Sequence, residues 1–327
     1  MKIFLAGGES RRYIPASLYL EQDMKIYLAY KTVYVGICDE ATRIHKPYIL
    51  ESFYYTDEYT TKLLPYYGDF MLDSGAFTFM SSGKHEPWEE YVDQYADFVK
   101  ANGVQKFFEL DLDSVVGYEK TLELRARLEK AANRKCIPVW HKSRGYREFQ
   151  RMCDEYSYAA IGGIVTKEIK PEQYEAFPAM IADAHKRGCK LHGLGFTSLA
   201  WLPKCHFDSV DSTAWTTGNR FGYVYKFDGK TMTKIKVPKG KRLASGRKVA
   251  VTNYIEWIKF QKYAEKHFKR VRKPHEKTII NITGMADSIV CVVLPGKQHF
   301  SRKTIPAALR HHDDRCSNCI SGNVYSV

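Results

Sequence analysis

The stretch His206-Phe207-Asp208-Ser209-Val210-Asp211-Ser212-Thr213-Ala214-Trp215 decides the fold. It reads as a short buried strand ending in carboxylates. A second acidic strand end lies far upstream, at Asp73 in Phe70-Met71-Leu72-Asp73-Ser74-Gly75-Ala76-Phe77. Carboxylates at the ends of strands that helical stretches separate predict a parallel sheet with its chemistry gathered at one rim.

Between these two strand ends the pattern alternates. In residues 86–102 the apolar positions Trp88, Tyr91, Tyr95, Phe98 and Val99 recur at helical spacing, and Gly103 closes the helix. Residues 104–112 read as a strand ending in Asp111 and Asp113. Residues 118–133 read as an amphipathic helix, 136–140 as a strand ending in His141, and 146–156 as a helix. Residues 158–165 form a strand pattern containing Gly162-Gly163, 171–187 a helix stopped by Gly188, and 189–196 a strand. Residues 24–30 fit a strand or a buried helix equally well. Alternating strands and helices imply a mostly parallel sheet. The expectation is an α/β chain with a TIM (β/α)8 barrel over residues 1–219. An open doubly wound sheet is the alternative, but it would gather its polar residues at one switch point, whereas here they end nearly every strand.

After Asn219 the alternation stops. The runs around Asp228-Gly229 read as a hairpin, residues 238–248 as a basic loop, and Thr252 as the cap of a helix reaching about residue 272. Residues 278–294 read as an apolar helix or a pair of strands. Residues 220–327 hold 23 Lys+Arg against 7 Asp+Glu, while residues 1–219 hold 27 against 30. The formal charge of +13 therefore comes entirely from the final third, the rest of the chain being slightly acidic. A basic C-terminal appendage over 220–327 (hairpin plus helices) that grips a polyanion is the expectation, with Arg220, Lys239, Lys241, Arg242, Arg247 and Lys248 as its nucleic-acid contacts.

The remaining totals are permissive. No run of about 18 apolar residues marks a membrane span, so no membrane partner is expected. Eight cysteines without a small-domain framework suit reduced thiols and a cytoplasmic location. His311, His312, Cys316 and Cys319 have ligand-like spacing and form a candidate structural zinc set; a polar tail without metal is the other reading. The chemistry itself calls for no cofactor. An oligomer is compatible with the sequence.

Exchange at a glycosidic bond needs one carboxylate to attack the anomeric carbon and a second group to move the proton on the leaving group. Strand-end aspartates supply both. The residues also resemble a family. Leu72-Asp73-Ser74-Gly75-Ala76-Phe77 is similar to the Asp-Ser-Gly-Gly-Phe-Gln signature of the tRNA-guanine transglycosylases, and Phe207-Asp208-Ser209-Val210-Asp211-Ser212 to their nucleophile strand. Ile161-Gly162-Gly163-Ile164 resembles the family's Gly-Gly-Leu, and Leu191-His192-Gly193-Leu194-Gly195 its Met-Gly-Val-Gly. Glu109-Leu110-Asp111-Leu112-Asp113 and Pro138-Val139-Trp140-His141 fall where the family reads the base. The six elements keep the family's order over roughly residues 65–230.

The resemblance implies a barrel in which Asp211 is the nucleophile and Asp73 the general acid/base. Asp111 or Asp113, His141, Ser74, Gly75 and the Gly162 and Gly163 amides would bind the base, which must leave its stack to reach them. Two departures matter. His141 stands where the family has a base-reading Gln. The Cys-x-Cys-x-x-Cys zinc cluster of the tRNA enzymes is missing, since residues 241–263 contain no cysteine. The chain thus most resembles the phage and bacterial branch that places 7-deazaguanines such as preQ0 into DNA; a phage origin would put it in the host cytoplasm. A tRNA substrate, an idle nucleic-acid-binding barrel and a metal-dependent hydrolase using Asp73, Asp111, Asp113 and His141 are the alternatives.

Overall fold

A computed structural model describes residues 24–30, 35–76, 78, 87–196, 198–236, 246–268, 278–282 and 289–293. The parallel strands are β1 (Lys25–Tyr30), β2 (Tyr48–Ser52), β3 (Asp69–Asp73), β4 (Val139–Trp140), β5 (Tyr158–Ile161), β6 (Lys190–Gly193) and β7 (Ser209–Ser212). They form one sheet in the order β3-β2-β1-β7-β6-β5-β4, every neighbouring pair parallel. Helices α1 (Val35–His45), α2 (Glu58–Leu63), α3 (Trp88–Ala101), α4 (Asp113–Val116), α5 (Tyr118–Ala132), α6 (Gly145–Glu155), α7 (Phe177–Lys186), α8 (Leu202–Cys205) and α9 (Gly218–Phe221) connect and follow them.

The strand expected over residues 104–112 is pared down to a bridge. Leu72 of β3 pairs with Phe107, and Phe108 pairs with Ile137, just before β4, both in parallel. Phe108 N–H donates to Leu72 O at 2.9 Å and Ile137 N–H to Phe107 O at 2.8 Å. The two edges of the sheet are thus each hydrogen-bonded to the same short segment.

Alternation along the strands separates two apolar regions, because successive side chains point to opposite faces. Tyr27, Ala29, Leu50, Met71, Phe108, Val139 and Ala160 pack together on one face. Ile26, Leu28, Ile49, Ile161, Leu191 and Val210 face the other way into the main cluster with the helices. A strand buried on both faces has no polar side, which is why periodicity left residues 24–30 undecided; the structure makes them β1.

The expected boundary at residue 219 does not fall there. Strands β8 (Tyr223–Phe227) and β9 (Met232–Lys236) form the expected antiparallel hairpin. Helix α10 (Gly246–His267) starts before Thr252, which lies inside it rather than capping it. Tyr254, Trp257, Ile258, Phe260 and Ala264 of α10 join the same core as Met24 and Ile26. Polar side chains of α10 also complete strand backbones. Gln261 donates to Ile26 O and Tyr48 O and accepts from Tyr48 N–H at 3.0 Å. Asn253 and Glu256 accept from the Tyr225 and Phe227 amides at 2.7 and 2.6 Å. The hairpin and α10 therefore belong to the body, not to an appendage. The apolar residues 278–294 contain the strand pair β10 (Thr278–Ile282) and β11 (Ile289–Val293), antiparallel, within a separate compact unit.

Candidate active site at the carboxyl ends of the strands

Parallel strands present all their carboxyl ends on one side, so residues that close successive strands are brought together whatever their distance in sequence. Asp73 ends β3, His141 follows β4, Gly162 follows β5, Gly193 ends β6 and Asp211 lies near the end of β7. Asp111 follows the bridging segment.

The Asp73 carboxylate accepts from Gly75 N–H at 3.1 Å. Gly75 has φ +85°, and a Cβ there would sit 2.7 Å from Cβ of Tyr54, so the tight turn requires glycine. Ser74 is buried, and its carbonyl accepts from Tyr91 OH at 2.6 Å. Burial pushes the Asp73 carboxyl up to about 6, and the nearby charges of Asp211 and Asp111 add to the rise. Asp73 and Asp211 close strands, and Asp111 follows the bridging segment, at the same rim of the sheet.

Asp211 is 7% exposed. Its Oδ1 accepts from Gly195 N–H at 2.5 Å and lies 3.2 Å from His192 Nε2. Gly195 reaches this position with φ +66°. Asp208, the other acid of the strand, points elsewhere. It accepts from Leu191 N–H at 2.7 Å and pairs with His185 at 2.8 Å, which is a structural role.

His141, Asp111 and Glu168 form a charge cluster. His141 Nε2 lies 2.8 Å from Asp111 Oδ2, and its Nδ1 lies 2.8 Å from Glu168 Oε2. Burial disfavours the imidazolium, but the hydrogen bonds and charges of Asp111 and Glu168 outweigh it and lift His141 to about 9. Ser143 N–H also donates to Glu168 at 2.7 Å, and the carboxyl of Glu168 is lowered, His141 overcoming the effect of burial. Asp113 is held by the Arg144 guanidinium at 2.8 Å. Below the cluster Glu109 is fully buried; Arg125 donates to it at 2.5 Å and the Val139 amide at 2.6 Å. Burial raises Glu109 and the two arginines, Arg125 and Arg144, oppose it.

Gly162 and Gly163 serve this cluster differently from the expectation. Gly162 N–H donates to Trp140 O at 2.9 Å within the sheet, so it is not available to a base. A Cβ on Gly162 would lie 2.9 Å from the His141 ring, and one on Gly163 would lie 2.7 Å from the Glu168 carboxylate. The glycine pair makes room for the His141–Glu168 contact.

Asp111, Asp113 and His141 bring one ligand atom each within 4.8 Å of one another, the only such group among the described residues. As they stand, His141 is turned to two carboxylates and Asp113 to Arg144, so the positive charge a metal would bring is already supplied by side chains.

The basic residues fare unevenly. Arg247 and Lys248 are exposed in the first turn of α10. The side chain of Arg220 and all of Lys239, Lys241 and Arg242 lie outside the described residues, as do the zinc candidates His311, His312, Cys316 and Cys319. No described helix is long and apolar enough to cross a membrane.

Sequence reading missed Glu168 and Arg144, and it quoted His192 and Gly195 in a motif without foreseeing that both engage Asp211. Glu168 sits in a loop and Arg144 in the single 3-10 turn before α6, where no periodicity marks them. His192 comes to Asp211 through the strand register, which pairs it with Ser209, two residues before Asp211.

These features define an α/β protein with a parallel sheet and an acidic, histidine-containing site at the strand carboxyl ends. No protein-family profile matches the sequence, and no curated protein matches it. Solved structures similar to it include pyruvate kinase of Cryptosporidium parvum, at 10% identity and TM-score 0.44 over 76% of this chain and 71% of that one. The carboxyl transferase domain of Rhizobium etli pyruvate carboxylase with 3-bromopyruvate is similar at 12% identity and TM-score 0.37, over 75% of this chain and 48% of that one. The chain thus spans about half the length of that domain. Likeness at this level carries no inference about chemistry, and the fold stands on the chain's own hydrogen bonding.

Proposed function

We propose that the chain is a nucleic-acid guanine transglycosylase that exchanges guanine in DNA for a 7-deazaguanine base. The sheet is read as a TIM barrel whose eighth strand is the bridging segment around Phe107 and Phe108. The observation that carries the reading is the placement of Asp73 and Asp211 at the carboxyl ends of two strands of one parallel sheet, in different environments. Asp73 is pushed up to about 6, which suits a group that gives and takes a proton near neutrality. Asp211 accepts a backbone amide at 2.5 Å, which suits a carboxylate held in place to attack.

In this mechanism the Asp211 carboxylate attacks C1′ of an extruded deoxyguanosine while the C1′–N9 bond breaks. Asp73 gives its proton to the departing guanine. The incoming base returns a proton to Asp73, its nitrogen attacks C1′, and the ester to Asp211 breaks, restoring the Asp73 acid and the Asp211 carboxylate. The His141–Asp111–Glu168 cluster, at the carboxyl end of the same sheet, would supply donors and acceptors for the edge of a base.

DNA is favoured over tRNA by the stretch where the tRNA enzymes hold zinc. Here Gly246–His267 is a continuous helix packed on β1. A divalent-metal hydrolase is the second reading, favoured by the grouping of Asp111, Asp113 and His141 and disfavoured by their existing partners.

The test is exchange of radiolabelled guanine, run in parallel on duplex DNA, single-stranded DNA and bulk tRNA, with wild type and Asp211→Ala. Exchange on DNA that the variant loses, with nucleic-acid binding retained, supports the reading. Exchange on tRNA alone transfers the reading to tRNA. Undiminished exchange by Asp211→Ala refutes the nucleophile. Hydrolysis that a chelator abolishes, without exchange, establishes the metal reading instead.

A further inference from the structure

Beside Asp211 runs a buried polar line that the chemistry above does not use. Residues two apart on a strand share a face, so Ser209 and Asp211 of β7 present their side chains to the same side, and His192 of β6 stands in register with Ser209. His192 Nδ1 lies 2.5 Å from Ser209 Oγ, and Nε2 lies 3.2 Å from Asp211 Oδ1. Ser209 Oγ lies 2.5 Å from Tyr158 OH. His192 is 0% exposed and Ser209 1%. The rings of Phe108 and Tyr27 flank the imidazole, with centroids at 5.2 and 6.2 Å. Both ring nitrogens are engaged and aromatic rings bound it, so the imidazole has little freedom to turn.

We propose that His192 is a positioning residue that fixes the attacking oxygen of Asp211; the proposal rests on reading Asp211 as the nucleophile. An ionised carboxylate only accepts hydrogen bonds, so His192 Nε2 carries a proton and donates it to Oδ1. Gly195 N–H donates to the same oxygen at 2.5 Å. Oδ1 thereby takes both donors, and Oδ2 is the atom presented to C1′. With Nε2 protonated, Nδ1 accepts from the Ser209 hydroxyl, which in turn accepts from Tyr158 O–H. Donation then runs in one direction from Tyr158 to Asp211, and each member sets the orientation of the next. Ordering a nucleophile this way lowers the barrier by placing the reacting oxygen in line before substrate arrives.

Two measurements on the full chain test this. In guanine exchange, His192→Leu is expected to lower kcat by about 10- to 100-fold, the loss of one hydrogen bond to a charged group, with KM changed by less than about twofold. His192→Gln, which keeps an amide donor near the position of Nε2, is expected to restore most of kcat. That rescue separates positioning from folding, because a general packing defect would not respond to a donor. Independently of activity, 15N NMR of histidine-labelled protein is expected to find a proton on His192 Nε2 and a signal that moves in both Asp211→Asn and Ser209→Ala. A proton on Nδ1 alone, or a signal indifferent to Asp211→Asn, overturns the proposal. Normal exchange by His192→Leu overturns it while leaving the transglycosylase reading intact, since Asp211→Ala still abolishes exchange. Failure of wild type to exchange guanine on any nucleic acid, with the NMR signature present, overturns that reading and the positioning role together, leaving a structural hydrogen bond.

Discussion

Replacing His141 by Gln should change how stability depends on pH, in a direction the geometry fixes. His141 sits between Asp111 and Glu168 at 2.8 Å from each. Its pKa rises from 6.5 to about 9 in the folded chain. A pKa raised by folding contributes stability that is fully present below pH 6.5 and is lost as pH rises through 9. A shift of this size, at about 1.4 kcal/mol per pH unit, corresponds to roughly 3 kcal/mol. Wild type should therefore lose about that amount between pH 6.5 and 10 through this one group. His141→Gln has no such proton to lose, and it leaves the two carboxylates without their cation at every pH. The stability difference between the two proteins should be largest near pH 6.5 and should shrink toward the alkaline end. Urea titrations at pH 6.5, 8 and 9.5, with unfolding followed by tryptophan fluorescence, measure it directly. Comparison with the variant cancels the buried thiols Cys38 and Cys205, which are pushed up to about 12 and 11. A difference that stays constant over this range would refute the doubly paired imidazolium.

Three further outcomes are expected. Asp73 is raised from 3.8 to about 6, so its contribution is fully present below pH 3.8 and is lost as pH rises through 6. Asp73→Asn should then be more stable than wild type at pH 7.5 by up to about 3 kcal/mol and equal to it at pH 3.5, while losing exchange; no gain at pH 7.5 in equilibrium denaturation would contradict the strained carboxyl. Arg125→Met should cost about 3–5 kcal/mol, because it leaves a carboxylate at 0% exposure without its 2.5 Å partner; a midpoint shift worth under about 1 kcal/mol would argue that Glu109 folds neutral. Gln261→Leu removes the partner of Tyr48 N–H, Tyr48 O and Ile26 O, and should cost about 2–4 kcal/mol in the same assay; wild-type stability would mean those groups find other partners.

Much of the site was legible in the chain itself, for a reason peculiar to parallel sheets. A strand that ends in a polar residue announces both its end and its rim, so Asp73, Asp111, His141 and Asp211 were identified as one set. The partners that hold them were not. Glu168 reaches His141 from a loop, and Arg144 reaches Asp113 from the turn after β4. Neither position follows from a period. Gly162 and Gly163 were noticed for the right feature, their lack of a side chain, but the space they leave is filled by His141 and Glu168 rather than kept for a ring.

The sequence by itself determined the alternation of strands and helices, the hairpin around Asp228-Gly229 and the acidic strand ends, because these depend on local spacing and turn chemistry. It misplaced the body's end at residue 219, because the apolar face of α10 does not reveal in sequence that it packs into the core with β1. Only the tertiary structure decided that this helix completes the strand backbones through Asn253, Glu256 and Gln261. Only the structure, too, turned His192 toward Asp211 and gave Asp73 and His141 their shifted protons. Those properties arise from burial and from charges brought close by chain segments far apart in sequence, and no local pattern encodes them.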